Sequence, residues 1–220
     1  MATQLDLQEQ EQLDQLKAFW NQYGNLITWV LILALGAFAA WNGWQWYQRD
    51  QAVKAAALYD ALERSAQAKE ADRIASRFAD LRDKFGRTPY AAQGALLTAK
   101  VQAEAGQADA AKATLTWAAE SAADDAVKAL ARLRLAGLLL DAKQYDEALK
   151  QLDGAAVPGM APLVADRRGD VLAAQGKAEE AAAAWRQAWD GLPERLEYRR
   201  LVEAKLTAVG AAPAASEAAR

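Results

Sequence analysis

The sequence predicts an all-α protein in which a single N-terminal transmembrane helix is followed by a solenoid of helical hairpins. Three observations lead to this prediction: an uncharged apolar segment near the N-terminus, glycines spaced where helices should end, and a helix-turn-helix pattern that recurs three times. The stretches between the glycines lack the alternation of apolar and polar residues that is typical of strands.

The predicted transmembrane helix covers residues 26–47, LITWVLILALGAFAAWNGWQWY, which carry no charge. A helix of this length spans a hydrocarbon core of roughly 30 Å. Its ends carry the aromatic residues expected at the membrane–water interfaces: Trp20 and Tyr23 on one side, and Trp41, Trp44, Trp46 and Tyr47 on the other. A cleaved signal peptide is disfavoured, because the n-region of a signal peptide should be short and basic, whereas the region before this span is long and acidic.

The segment before the predicted span is rich in acidic residues. Residues 1–25, the predicted N-terminal tail, carry Asp6, Glu9, Glu11 and Asp14 against Lys17 alone, which accounts for the net charge of −3. Charges after the span balance, and a balanced surface lacks the basic footprint of a nucleic-acid-binding protein. The few basic residues next to the span do not assign its orientation.

The tail also has a helical pattern, since Leu13, Leu16 and Trp20 recur at helical spacing. An acidic helix is not expected to lie on an anionic membrane surface. Either a docking segment or a purely solubilising tail fits the pattern.

Within the span, small residues at helical spacing form a candidate packing face for another transmembrane helix: Gly36, Ala39, Ala40 and Gly43. Glycine and alanine are also common in membrane helices generally, so the pattern allows both interpretations.

Composition excludes most enzyme chemistry. The 220 residues include no histidine and no cysteine, so thiolate or imidazole metal sites, Cys or His nucleophiles and the Ser-His-Asp triad are excluded. No phosphate-binding GxxxxGK[ST] motif occurs. We therefore expect a protein that is not an enzyme and has no cofactor or metal site.

Self-similarity indicates the architecture of the region after the span. Residues 106–111, 143–148 and 176–181 read as turns that open a second helix and end in alanine, and a large apolar residue follows four positions later in each: Leu115, Leu152 and Trp185. The spacings between the units bracket the tetratricopeptide period of 34 residues. We predict a tetratricopeptide-like domain over residues 48–209 and a disordered tail over residues 210–220.

Helix boundaries have their own signals. Thr88 and Pro89 have the pattern of an N-cap and first helical residue, and Pro193 is predicted to open the last helix. Upstream of the three units, residues 51–67 and 69–85 are predicted to form a further helical pair that ends at Gly86.

Stacked hairpins present a concave surface formed mainly by their first helices. The alignment predicts that this protein-binding groove includes Leu96, Lys100, Leu133, Gly137, Leu140, Asp166 and Asp170. The helix over residues 130–140 is apolar nearly all round, which fits either a central core helix or the wall of an apolar groove. Arg167 and Arg168 next to the two aspartates have the spacing of solvated ion pairs and do not by themselves indicate a site.

Several segments together resemble the YfgM family of ancillary subunits of the bacterial SecYEG translocon. The resemblance covers nearly the full length and rests on the acidic tail that runs into LKAFW, on LRLAGLLLDAKQYDEALKQLDG (132–153 at its centre) and on VADRRGDVLAAQGKAEEAAAAWRQAW (164–189).

This resemblance implies a single-pass inner-membrane protein with a cytoplasmic N-terminus and a periplasmic repeat domain. The partners that it implies are SecYEG, a membrane-anchored periplasmic chaperone of prolyl-isomerase type, and secreted polypeptides emerging from the translocon. A scaffold of another cell-envelope complex is the alternative, because the fold alone does not select a function.

Overall fold

The computed structural model describes residues 7–213, with side chains described from Glu11 onward. Nine α-helices and no strand occupy this range, which confirms the predicted fold class. The helices are α1 (Leu7–Gln67), α2 (Ala71–Phe85), α3 (Pro89–Glu104), α4 (Ala108–Ser121), α5 (Asp125–Asp141), α6 (Tyr145–Asp153), α7 (Ala161–Ala174), α8 (Ala178–Gly191) and α9 (Glu197–Ala208).

The first helix is continuous through the acidic tail, the apolar segment and the residues that follow it. Neither end of the predicted span, at residues 26 and 47, coincides with a helix boundary. Among the described residues, α1 is the helix whose length and composition allow it to cross a membrane. The chain divides between Asp50 and Gln51 into two compact units, and α1 contributes to both.

Three hairpins follow the predicted turns: α3 with α4, α5 with α6, and α7 with α8. Each turn has one residue with positive φ, at Gly106 (+77°), Lys143 (+59°) and Gly176 (+81°). The amide of the next residue then donates to a carbonyl five residues back, over 2.8, 2.8 and 3.0 Å. These equivalent turns show that the three units share one backbone design, although Lys143 occupies the place where the other two units have glycine.

The second helices also pack equivalently. The aligned alanines and the large residues that follow them are all buried: Ala111, Leu115, Ala148, Leu152, Ala181 and Trp185. In the third unit, a Cβ atom at Gly169 would overlap the Trp185 ring. The missing side chain at Gly169 therefore lets α7 and α8 approach closely, as expected for a tetratricopeptide-like pair.

The core consists of two clusters. The larger one extends from Ala55 and Leu62 in the second half of α1 to Val171 in α7, and the smaller one joins α7, α8 and α9 around Trp185. Alanine supplies about half of the buried apolar residues. The domain is thus held together by close helix–helix packing.

The predicted start of α3 is confirmed, whereas the predicted start of the last helix is wrong. Thr88 caps α3, its hydroxyl accepting a hydrogen bond from the Ala91 amide at 3.4 Å, and Pro89 is the first helical residue. Pro193 does not open the last helix, because residues 193–196 form a turn and α9 begins at Glu197. Within the predicted disordered tail, the Ala211 carbonyl accepts a hydrogen bond from Arg186 at 2.8 Å, whereas residues 214–220 lie outside the described part of the chain.

Candidate protein-binding groove

The first helices of the three hairpins enclose an open cleft of about 350 Å³. Helices α3 and α5 form its walls, and α4 and α7 each contribute one side chain. Its lining residues are Ala99, Lys100, Ala103, Glu104, Leu115, Arg134, Gly137, Leu138, Asp141 and Arg167.

Three cations line this cleft, and each comes from a different first helix: Lys100 from α3, Arg134 from α5 and Arg167 from α7. The Arg134 guanidinium donates to the Leu96 carbonyl at 3.2 Å, which fixes its stem against α3. Lys100 lies 3.9 Å from the Glu104 carboxylate, at the outer limit of an ion pair. Within the described part of the chain, most donors on these cations lack a protein acceptor, so the cleft can offer charged hydrogen bonds to a ligand.

Two carboxylates, Glu104 and Asp141, also line the cleft, and small or apolar side chains form most of the remainder: Ala99, Ala103, Leu115 and Leu138. Gly137 contributes no side chain, and a Cβ built there would lie 3.7 Å from an Arg167 guanidinium nitrogen. The Arg167 side chain from α7 therefore extends over α5 at the position of this glycine. An apolar lining with a few convergent charges is typical of sites that recognise short polypeptide segments.

Among the predicted groove residues, Lys100 and Gly137 line the cleft. Leu96 takes part through its carbonyl, which accepts the Arg134 hydrogen bond. Leu133 and Leu140 are half-buried and pack against the larger core cluster. The α5 helix is thus a core helix on one side and a wall of the cleft on another.

The structure corrects the placement of Asp166. This side chain is only 1% exposed, so it does not lie in an open groove. Its carboxylate accepts hydrogen bonds from Lys205 Nζ at 2.7 and 2.9 Å and from the Tyr198 hydroxyl at 2.5 Å. Helix α9 covers Asp166, which therefore fastens α9 to α7 and is not a solvated surface charge.

Asp170 shares this polar cluster. Its carboxylate accepts hydrogen bonds from Lys205 at 2.7 Å and from the Trp185 indole at 3.1 Å. It also lies 3.8 Å from Arg167, the predicted i,i+3 pair, so it connects the cluster to a cleft residue. Burial, followed by the hydrogen bond to Asp166, raises the pKa of Tyr198 well above its ordinary value of 10.0.

The prediction from the sequence omitted Arg134 and Arg167 from the groove. A positional signal for both existed, because each stands nine residues before the positive-φ residue of its hairpin, Lys143 and Gly176. The contact of Lys205 with Asp166 had no such signal, since 39 residues separate the two and no repeat relates them.

The candidate packing face in the apolar segment is open within the described chain. Ala39 and Ala40 are exposed, and Cβ atoms built at Gly36 and Gly43 would meet nothing within 4 Å beyond the adjacent residues and backbone of their own helix. The face can therefore accept another helix at close range.

Comparisons with known proteins place the apolar segment and the helical hairpins in one family. The model of the tetratricopeptide repeat-like domain family matches residues 17–211. A Neisseria gonorrhoeae protein named ancillary SecYEG translocon subunit is 33% identical over 201 residues, covering 91% of this chain and 96% of its own. Proteins of the same name from Escherichia coli and Haemophilus influenzae are 31% and 30% identical, over 80% and 83% of this chain and 85% and 89% of their own.

The family model and the Neisseria gonorrhoeae match both include the apolar segment as well as the hairpins. Proteins of this family are not enzymes, as the composition predicted. The chain belongs to the YfgM family of ancillary SecYEG translocon subunits, with a tetratricopeptide-like domain preceded by a candidate membrane span.

Proposed function

We propose that this protein is a non-enzymatic inner-membrane adaptor that associates with the SecYEG translocon and assists polypeptides emerging from it. The observation that carries the proposal is the alignment, over 80–91% of this chain, with relatives that bear the translocon-subunit name. A shared domain alone would leave the function open, but here the apolar segment and the hairpins match together and in the same order.

The proposed orientation has residues 1–25 in the cytoplasm and residues 48–209 in the periplasm. The family resemblance supports it. Because the chain has no cysteine, single cysteines report orientation without background. In intact spheroplasts, a membrane-impermeant maleimide should label Lys150→Cys, whereas it should label Gln12→Cys only after permeabilisation. The reverse pattern would contradict the orientation.

The cleft is the proposed contact for a membrane-anchored periplasmic chaperone of prolyl-isomerase type and for extended segments of secreted polypeptides. Three cations against two carboxylates, Glu104 and Asp141, give the lining a small positive excess that favours a segment with a carboxylate, and the small apolar side chains leave room for its neighbouring residues. The exposed ends of Lys100 and Arg134 make the contact accessible.

A photo-crosslinking residue at Lys100, introduced into the full-length protein in native membranes, tests this contact. The expected adducts contain a periplasmic chaperone or a nascent secreted chain. Lys150 is the matched control, because it is also an exposed lysine but lies on the second helix of its hairpin. Equal adducts at both positions, or adducts only with another envelope complex, would contradict the proposal.

The small-residue face of the span is proposed to pack against a membrane helix of the translocon. Gly36→Leu together with Gly43→Leu should block close approach and lower the amount of SecYEG that co-purifies. Ala34→Leu is the control, since position 34 lies on the opposite side of the helix at a similar depth. Equal recovery of SecYEG with both variants would contradict this contact.

A further inference from the structure

The acidic tail carries an uncovered apolar stripe. Five large side chains follow helical spacing on α1 and occupy an arc of about 120°: Leu13, Leu16, Phe19, Trp20 and Tyr23. All five are exposed, with Leu16 at 64% and Trp20 at 58%. Such a stripe indicates a surface that a partner covers.

Lipid does not cover the outer part of this stripe. The helix is unbroken from residue 7 into the span, so at 1.5 Å per residue Leu16 lies about 15 Å and Leu13 about 20 Å beyond Leu26. The headgroup layer adds only about 5–8 Å on each side of the hydrocarbon core. An average helix tilt shortens these distances by less than a tenth. Trp20 and Tyr23 therefore reach the interface, whereas Leu13 and Leu16 stand in water.

The charged residues around the stripe indicate the sign of the charge that its partner should carry. Glu11 and Asp14 lie on the part of the helix that the stripe leaves free, and the lone cation, Lys17, is already paired with Asp14 at 3.5 Å. The tail thus presents a net negative potential. Anionic lipid headgroups would repel it, and a second copy of the same acidic helix would repel it as well.

We propose that this stripe docks into an apolar groove with a Lys/Arg-rich rim on the cytoplasmic part of a membrane protein. Cytoplasmic loops of membrane proteins carry an excess of Lys and Arg, which supplies the complementary charge close to the same membrane face. The inference rests on the proposed cytoplasmic orientation of the tail. It also gives a physical reason for acidic residues where basic ones are usual, since they would match the loops of a partner.

Photo-crosslinking in native membranes tests the proposal with the full-length protein. A photo-crosslinking residue at Leu16 should form an adduct with a membrane protein. The same residue at Ala18, two positions away but on the opposite side of the helix, should give little adduct. Glu11→Lys together with Asp14→Lys should lower the Leu16 adduct about tenfold, while Glu11→Asp with Asp14→Glu should preserve it.

Any of three kinds of Leu16 adduct would overturn the inference: an adduct with lipid alone, an adduct only with a second copy of this chain, or an adduct that charge reversal leaves unchanged. Maleimide labelling of Gln12→Cys in the same strain distinguishes failure of the docking inference from failure of the proposed orientation. If the tail is cytoplasmic and Leu16 gives no protein adduct, the docking inference alone fails. If the tail is exposed on the outer face, the proposed orientation fails together with it.

Discussion

Replacing Lys205 by methionine should detach α9 from the last hairpin. Lys205 Nζ contacts both carboxylate oxygens of Asp166, at 2.7 and 2.9 Å, and one oxygen of Asp170 at 2.7 Å. Methionine preserves most of the apolar stem but removes the charge. Among the described residues, Tyr198 is then the remaining hydrogen-bond donor to the Asp166 carboxylate, which is 1% exposed.

Removal of one partner of a buried ion pair costs roughly 3–5 kcal/mol. The Lys205 side chain is 22% exposed and one hydrogen bond to Asp166 persists, so the lower end of this range, about 3 kcal/mol, applies. At about 1.4 kcal/mol per factor of ten, α9 should open more than 100-fold more often. Because repeat units unfold partly independently, the change should concentrate at the C-terminal end of the domain.

Hydrogen exchange with mass spectrometry on the full-length protein in detergent measures this opening. Amides of residues 197–208 should exchange about 100-fold faster, while α3–α6 change little. Lys177→Met, at an exposed position, should change exchange by less than a factor of about three. Asp166→Asn combined with Lys205→Met should recover part of the loss. Unchanged exchange in α9, or an equal increase in every helix, would refute the reasoning.

Three further substitutions test the packing and the buried cluster. Gly169→Ala should destabilise the domain by roughly 1–3 kcal/mol, because its methyl group overlaps the Trp185 ring; Gly137→Ala, whose methyl group fits at 3.7 Å from its nearest neighbour, should stabilise by up to about 1 kcal/mol. Thermal unfolding of the two variants should shift in opposite directions, and a shared direction would contradict this account. Tyr198 has a raised pKa in the folded state, so its contribution is fully present below pH 10, the ordinary value, and is lost at higher pH. Tyr198→Phe should therefore reduce the loss of stability above pH 10. Measuring the free energy of unfolding of both proteins at a series of pH values tests this, and an identical pH dependence would contradict the contribution assigned to Tyr198.

Local signals explain what could be predicted from the sequence. Gly106 and Gly176 marked turns because a positive φ is easiest for glycine, and buried alanines at a fixed distance from them disclosed the repeat. Thr88 and Pro89 identified a helix start for similarly local reasons. The same register predicted that Lys100 and Gly137 lie on one surface, and both line the cleft.

The placement of Asp166 and two helix boundaries were predicted wrongly, for different reasons. Asp166 was assigned to the groove because its register position matches that of Leu133, yet α9 supplies the lysine and tyrosine that bury it. Pro193 suggested a helix start, whereas α9 begins four residues later. The continuity of α1, in contrast, had a local signal that the prediction did not use, since no glycine or proline separates the apolar segment from the helix after it.

The most direct test of the central claim is affinity purification of the full-length protein from bacterial membranes in mild detergent, followed by identification of the proteins that accompany it. The proposed association predicts that SecY, SecE and SecG are recovered together, and that the recovery falls when Gly36 and Gly43 are both replaced by leucine. Recovery of a different cell-envelope complex without any Sec component would contradict the account.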